Sequence, residues 1–528
     1  MLYLEKYYFE RMYNMTLAFI LYFVVILIIG IFFFYNSKGG GEKDYFLGGR
    51  SMGPWVTALS AQASDMSGWL LMGFPGSIIA FGLGKVWIGI GLALGTIANW
   101  IFVARRLRRF SRAANDSITL PQYLTNRFAT SNPALKVVCA IIFLISFTVY
   151  VASAFNAGAE VFATVIPWFE TRKLLAMLIF AVLVLTYTFL GGYKAVCWTD
   201  FFQGLLMLIA LISTPIVMLA IGKYDSSLTG AFAEGITEFG SNPFAASWTD
   251  IISGLGWGLG YFGMPHIIVR FMAIKNSNLV KKSATVAISW LILTLGATIL
   301  IAWLGRTYIL SDGNALSQML LPKGAQSRIF IEVALDIFPP FIAGLMLSAI
   351  IAAAMSTADS QLLVASSSFT SDLYNPIFRK NKANDKELLW VGRIVVFVVT
   401  MIAFFIAVSG LGKANSWASN IMSMVENAWG LFGSAFGPVV ILSLFWKRIT
   451  YKGAIAGIIS GAVADIAWLI LFTSTVTTPV IFDTKIYEIV PGFIISVICT
   501  VIFTLLDKKP SNEVEAIYAA ATDPQIND

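Results

Sequence analysis

Charge is scarce in this sequence: Asp, Glu, Lys and Arg supply 12% of its 528 residues, about half the quarter typical of soluble domains. With 58% of residues hydrophobic, the chain cannot close a polar surface around a water-soluble core, which excludes a soluble enzyme or binding domain. Histidine is scarcer still. The single one, His266, excludes a multi-histidine metal centre or a triad drawn from several histidines, and no catalytic acid–base constellation gathers around it, so no catalytic residue is assigned. Cys139, Cys197 and Cys499 lie in or beside apolar runs without metal-ligand spacing, so neither a disulfide framework nor a zinc site is implied.

Long apolar runs are what the chain has in quantity. Stretches able to cross a bilayer fall near 16–36, 54–82, 84–104, 135–163, 174–191, 198–221, 248–271, 285–310, 328–358, 390–410, 421–446, 453–474 and 488–506. The expectation is an all-α polytopic membrane protein with thirteen transmembrane helices. The first run is too long for a signal-peptide core and lacks a small-residue cleavage site, so it reads as a retained helix. The longest loops, about 105–134 and 222–249, are too short for an enzyme module, and residues 511–528 read as a solvated cytoplasmic tail.

Orientation is expected from Lys and Arg, which concentrate on cytoplasmic loops. The clusters RRLRR (105–109), KNSNLVKK (275–282), RKNKANDK (379–386) and WKRITYK (446–452) fall on one side if thirteen helices alternate. That places the N-terminus outside and the C-terminus in the cytoplasm. The net charge of +7 is then a topology signal, and no nucleic-acid partner is implied.

Transporters commonly carry inverted repeats whose first helices are both broken by Gly or Pro. One such segment is SAQASDMSGWLLMGFPG (60–76); another, SGLGWGLGYFGMP (253–265), follows five spans later. An odd spacing inverts the second unit, so residues 54–221 and 248–446 are expected to form a five-plus-five inverted repeat with discontinuous spans two and seven. Residues 447–506 would be peripheral helices, all within one transporter domain, 1–510. Gly258, Gly260 and Gly263 spell a dinucleotide-binding fingerprint, but the motif lies inside an apolar span without the strand and acid it requires. Close helix packing through glycines and an unwound substrate-facing stretch both remain open for it.

An ionised carboxylate in hydrocarbon costs at least about 2.5–3.5 kcal/mol, and such residues mark ion or substrate pathways. Asp65 is one. Ser64, Ser67 and Gly68 beside it would let a helix open and expose carbonyls suited to a hard cation; an interhelical pair with a buried arginine is the alternative. Ser356 and Thr357 sit mid-run in SAIIAAAMSTADSQLL (348–363), where the Ala353 carbonyl and the Ser356 hydroxyl could share one face. Back-bonding to the preceding turn is an equally good reading of those hydroxyls.

The segments DYFLGGRSMGPWVTALSAQASDMSGWLLMGFPG, TLPQYLTNRF, AVCWTDFFQ, GWGLGYFGMPHIIVRFMA, MSTADSQLL and AFGPVVILSLFWKRIT resemble the sodium/solute symporter family, in order from about residue 15 to about 510. The resemblance implies a LeuT-type fold and sodium-coupled uptake of L-proline, with Na+ as coupling ion and no other cofactor. Matched residue by residue, it implies a sodium site of the Ala63, Met66 and Ala353 carbonyls with the Ser356 and Thr357 hydroxyls. Asp65 and Asp200 match acids tied to sodium affinity and coupling, although Asp200 also reads as an acid complementing a helix N-terminus. For proline it implies Ser67, Gly68, Trp69, Tyr150, Trp257, Tyr261 and Pro265, which supply an apolar wall, freed backbone donors and aromatic rings for a cationic amine.

Asp359, Ser360, Glu160 and Glu426 depart from the family pattern. Glu160 and Glu426 read either as partners of buried donors or as modifiers of coupling. The expected partners are thus a small solute, Na+ and the lipid bilayer of a bacterial inner membrane, with no obligatory protein partner. A symporter for another small solute, or a membrane solute sensor without net transport, are the alternatives.

Overall fold

The computed structural model describes residues 2–36, 42–190, 192–221, 240, 242–310, 326–413, 416–474 and 479–523. Among them the backbone is helical, and the one isolated β-bridge pairs Met52 with Ile274. Among the described residues ten helices are long and apolar enough to cross a membrane, which makes this a multi-pass membrane protein. Each overlaps an expected span. The other three expected spans are shorter pieces: the 18-residue helix Lys173–Leu190, and two regions in which one helix gives way to another.

The first interruption follows the helix Pro54–Asp65, which stops where Met66 leaves helical geometry (φ −84°, ψ 78°). Asp, Ser and Gly are poor helix-interior residues because their side chains compete for the backbone or leave it free, so SDMSG is a natural place to stop. Gly68 is required sterically, since a Cβ there would sit 2.8 Å from the Ala157 Cβ. Helix resumes as a π turn, Trp69–Gly73, running into Phe74–Phe81. Pro75 lacks an N–H and crowds the carbonyl four residues back; the widened turn accommodates it.

The second interruption follows Trp248–Gly256, which tightens into a 3₁₀ stretch, Trp257–Phe262. Met264 is extended (φ −72°, ψ 109°), and Pro265 begins the helix Pro265–Ala273, the first-turn position that a missing N–H suits. Close helix packing describes the glycine run: Gly254 and Gly258 lie backbone-to-backbone against Gly91 and Gly95, too close for any Cβ.

The helix Pro340–Ser367 is the centre of the bundle, packed by Leu2–Asn36, Ala134–Val165, Tyr193–Ile221 and Pro54–Asp65. Its small residues, AIIAAAMSTA, permit close helix approach where lipid provides no hydrophobic driving force. Tyr451–Phe472 and Ile489–Leu506 pack on each other and on Ile421–Phe445. Of the apolar window of each, 28% is buried, against 83% for 340–378 and 421–445.

Residues 512–522 differ from the expected solvated tail. They form a helix, Asn512–Thr522, capped by Ser511, whose hydroxyl accepts from the Val514 N–H. Tyr518 anchors it, donating to the Phe445 carbonyl at 3.3 Å and meeting the Phe110 ring edge-on at 5.4 Å. The amphipathic spacing of Val514, Tyr518 and Ala521 explains the docking. Most of loop 222–249, and residues 524–528, lie outside the described residues.

Candidate functional site

Where a helix ends, its last carbonyls lose their intrahelical partners. At the end of Pro54–Asp65, the Ala63 carbonyl accepts from the Ser356 hydroxyl at 2.8 Å, and that same hydroxyl lies 3.2 Å from the Ala353 carbonyl. Three of the five oxygens expected to hold sodium therefore meet at one point between the broken helix and the central one. Thr357 is adjacent and wholly buried, and its Oγ1 has no hydrogen-bond partner among the described residues. Met66, also fully buried, is the residue at which the backbone turns out of the helix. No group of three or more His, Cys, Asp or Glu able to hold a metal occurs among the described residues; carbonyls and neutral hydroxyls are instead the donor set of a weakly held hard cation.

Asp65 points elsewhere. Its Oδ2 accepts from the Tyr261 hydroxyl at 2.5 Å, while Oδ1 is buried without a hydrogen-bond partner among the described residues. Its backbone carbonyl accepts from Trp69 Nε1 at 3.3 Å and from the Tyr150 hydroxyl at 3.4 Å. Asp65 thus ties the first interruption to the second, and gathers three of the residues expected around the solute. Trp257 joins them by its ring, 6.3 Å from that of Trp69, and Trp429, unforeseen in the sequence, donates Nε1 to the Trp257 carbonyl at 2.8 Å. Ser67 and Gly68 lie in the break itself, and Pro265 opens the helix beyond the other break. Trp69, Tyr150, Trp257 and Tyr261 are all 2% exposed or less, so the conformation described is closed around them.

Asp200 stands apart from both groups. It lies eight residues into the helix Tyr193–Ile221, so the reading of it as a helix N-terminal acid does not hold. It is the acceptor of a buried ion pair with Arg270 at 3.1 Å, and of the Ser60 hydroxyl at 2.7 Å. Arg270 also donates to Ser60, Ser360 and the His266 carbonyl. Ser60 precedes Ala63, and Ser360 follows Ser356, by about one helical turn, so this cluster is the next layer along the same helix–helix contact. The paired arginine considered for Asp65 is found here instead. Arg270 was missed, although a charge inside HIIVRFMA is the kind of residue that intramembrane cost singles out. Asp359, wholly buried with both carboxylate oxygens lacking hydrogen-bond partners among the described residues, belongs to this layer.

Glu160 pairs with Arg328 and, at 3.0 Å, with Lys173, which is the partner reading of that residue. Glu426 offers its backbone carbonyl to the Tyr487 hydroxyl at 2.7 Å.

Comparison with known proteins places this arrangement in context. The model of the sodium:solute symporter family matches residues 45–461. The sodium/proline symporter of Escherichia coli (strain K12) is 42% identical over 480 residues, 90% of each chain. The osmoregulated proline transporter OpuE of Bacillus subtilis (strain 168) is 41% identical over 475 residues, 89% of this chain and 90% of the relative. Among solved structures, a Na+-coupled sialic acid symporter in a substrate-bound outward-open state matches with a TM-score of 0.72 at 20% identity, covering 94% of this chain and 99% of that one. MHP1, a nucleobase-cation-symport-1 family transporter in a closed conformation, matches with a TM-score of 0.54 at 14% identity, covering 90% and 98%. At those identities the two structures speak for the fold alone.

Proposed function

The chain belongs to the sodium:solute symporter family, and from that premise we propose that it couples inward sodium flow to uptake of L-proline by alternating access. The observation that carries the mechanism is the contact of Ser356 with the Ala63 carbonyl at 2.8 Å, made at the point where a helix opens. Sodium entering there takes the Ala63, Met66 and Ala353 carbonyls and the Ser356 and Thr357 hydroxyls as ligands. It replaces a single hydrogen bond between the two helices by an ion shared between them.

The consequence for proline follows from position. Fixing Ala63 and Met66 fixes residues 67–69, where the renewed helix begins and its N-terminal N–H groups and dipole favour a carboxylate. Trp69, Tyr150, Trp257 and Tyr261 supply the apolar wall for the pyrrolidine ring. Asp65, turned toward Tyr261 and away from Ser356, acts on sodium through its field and through the geometry of the break. Coupling then needs sodium to favour the proline-competent conformation by about 1–3 kcal/mol, the usual size of a coupling free energy.

The architecture proposed with this reading is thirteen spans, counting Lys173–Leu190 and the two interrupted regions 54–81 and 248–273 as crossings. Residues 54–221 and 248–446 are then the inverted repeats and 447–506 the peripheral helices of one transporter domain, in the plasma membrane of a bacterium. The arginine- and lysine-rich loops lie on the cytoplasmic side with the C-terminus, and the N-terminus lies outside. Sodium dependence of proline uptake in Ser356→Ala is the test: a strong rise in the sodium concentration needed for half-maximal uptake is expected, and wild-type sodium dependence would overturn the site.

A further inference from the structure

The segment RRLRR supplies more cation than orientation requires, and two of its arginines have structural work. Arg108, fully buried, donates Nε to the Ile274 carbonyl at 2.7 Å. Arg106 donates Nε and Nη2 to the Leu444 carbonyl at 3.1 and 2.8 Å, with its guanidinium 4.4 Å from the centre of the Phe445 ring. Arg105 and Arg109 are four residues apart and share one face of the helix Arg105–Ala113, a spacing at which like charges repel. Together with Arg106, Ala521 and Thr522 they line a cleft of about 290 Å³.

Among the described residues no carboxylate side chain lines that cleft. Nearby cations are treated differently: Lys447 pairs with Glu515 at 2.9 Å and Lys452 with Asp507 at 3.0 Å. Among the described residues Arg105 reaches the neutral side chain of Asn278, at 3.2 Å, and Arg109 the backbone carbonyl of Asp523. Arg109 Nε is buried without a hydrogen-bond partner among the described residues. Three guanidiniums converging with no acid side chain between them among the described residues make a site for an anion, and their planar forks suit phosphate oxygens.

The surroundings say which phosphate. Leu94, Ile101 and Phe102 are 56%, 57% and 59% exposed, so this side of the helical stretch faces lipid, and Arg105 follows Ile101 by one turn. Phe445, against which Arg106 stacks, is 42% exposed. The cleft therefore opens where the lipid-facing surface ends, at headgroup depth, with apolar surface above it for acyl chains. A free phosphate would make no use of that surface.

We propose that this cleft binds the headgroup of an anionic phospholipid, which bridges the Arg105–Ala113 helix to the docked Asn512–Thr522 helix. Basic pockets of this kind at the membrane face are an established mode of lipid recognition. The bound headgroup would hold the C-terminal helix on the ends of the helices it covers.

The test is native mass spectrometry of the full chain in detergent, titrated with phosphatidylglycerol, with phosphatidylcholine of the same acyl chains, and with inorganic phosphate. Phosphatidylglycerol is expected to bind at least tenfold more tightly than phosphatidylcholine. Each cation near a membrane surface contributes roughly fivefold, so Arg105→Gln/Arg109→Gln should weaken phosphatidylglycerol by about 25-fold, while Lys380→Gln/Lys382→Gln, in an exposed loop, should leave it unchanged. Equal affinity for the two lipids in the wild-type protein, or an unaltered affinity in the arginine double variant, would overturn the proposal. Displacement of phosphatidylglycerol by millimolar inorganic phosphate, with phosphate adducts that the arginine variant loses, would assign the cleft to the free anion and overturn the lipid reading. The wild-type lipid preference decides the matter even if the double variant fails to fold.

Discussion

Thr357→Val separates a sodium ligand from a packing residue. Valine keeps the shape of threonine and removes only the hydroxyl, which is wholly buried and has no hydrogen-bond partner among the described residues. A buried hydroxyl without a partner costs about 1–3 kcal/mol, so without sodium the variant should be as stable as wild type or more stable by about 1 kcal/mol. With sodium the balance reverses. Loss of a supporting ligand group typically costs 10–100-fold in metal affinity, and we take ~30-fold. At a sodium concentration of 100 Kd the ion stabilises the folded protein by about 2.7 kcal/mol, and after a ~30-fold rise in Kd the same concentration gives only about 0.9 kcal/mol. The assay is thermal unfolding of purified protein in sodium and in potassium at equal ionic strength. Thr357→Ser, which keeps the hydroxyl, should retain most of the sodium effect. Full sodium stabilisation in Thr357→Val would refute the ligand assignment, and a loss above about 1 kcal/mol in potassium would show that the hydroxyl has a structural partner after all.

Other substitutions probe the neighbouring contacts. Ser356→Ala should differ from Thr357→Val by costing about 1 kcal/mol in potassium as well, because it removes the bond to the Ala63 carbonyl; the same unfolding assay compares them. Tyr261→Phe deletes the donor to Asp65 Oδ2, a hydrogen bond to a charged group worth about 1.5–3 kcal/mol. Equilibrium binding should show proline affinity reduced by roughly 10–100-fold, with Asp65→Asn/Tyr261→Phe costing less than the sum of the two single changes. Gly68→Ala places its Cβ against Ala157 and should cost about 1–3 kcal/mol by overpacking; Ala157→Gly in the same chain should restore stability and uptake, and failure to do so would mean the crowding lies elsewhere. Asp200→Asn strands Arg270 in the core, so expression and stability should fall by about 3–5 kcal/mol, more than for Glu160→Gln at its partly exposed pairs.

The helices were legible in the sequence because apolar length is a direct physical demand of the bilayer, and the breaks were legible because Asp, Ser, Gly and Pro interrupt a helix for known reasons. SDMSG and FGMP mark the interruptions to within a residue or two. Partners across the fold were not legible. Nothing local connects Asp200 to Arg270, 70 residues away, or tells that Asp65 turns to Tyr261 rather than to an arginine. Trp429 escaped notice because a tryptophan in a membrane helix has too many ordinary uses. The polarity of the C-terminal segment outweighs its Val514, Tyr518 and Ala521 stripe and hides the docking face in the sequence. Its docking depends on Phe110 and Arg106, some 400 residues earlier in the chain.

The most direct test of the account is uptake of labelled L-proline by the purified protein in liposomes, with and without an inward sodium gradient and with potassium as the control cation. Accumulation above equilibrium that requires sodium, and that excess unlabelled proline abolishes, is the predicted result. Proline accumulation that is equal in sodium and potassium would contradict the proposed coupling.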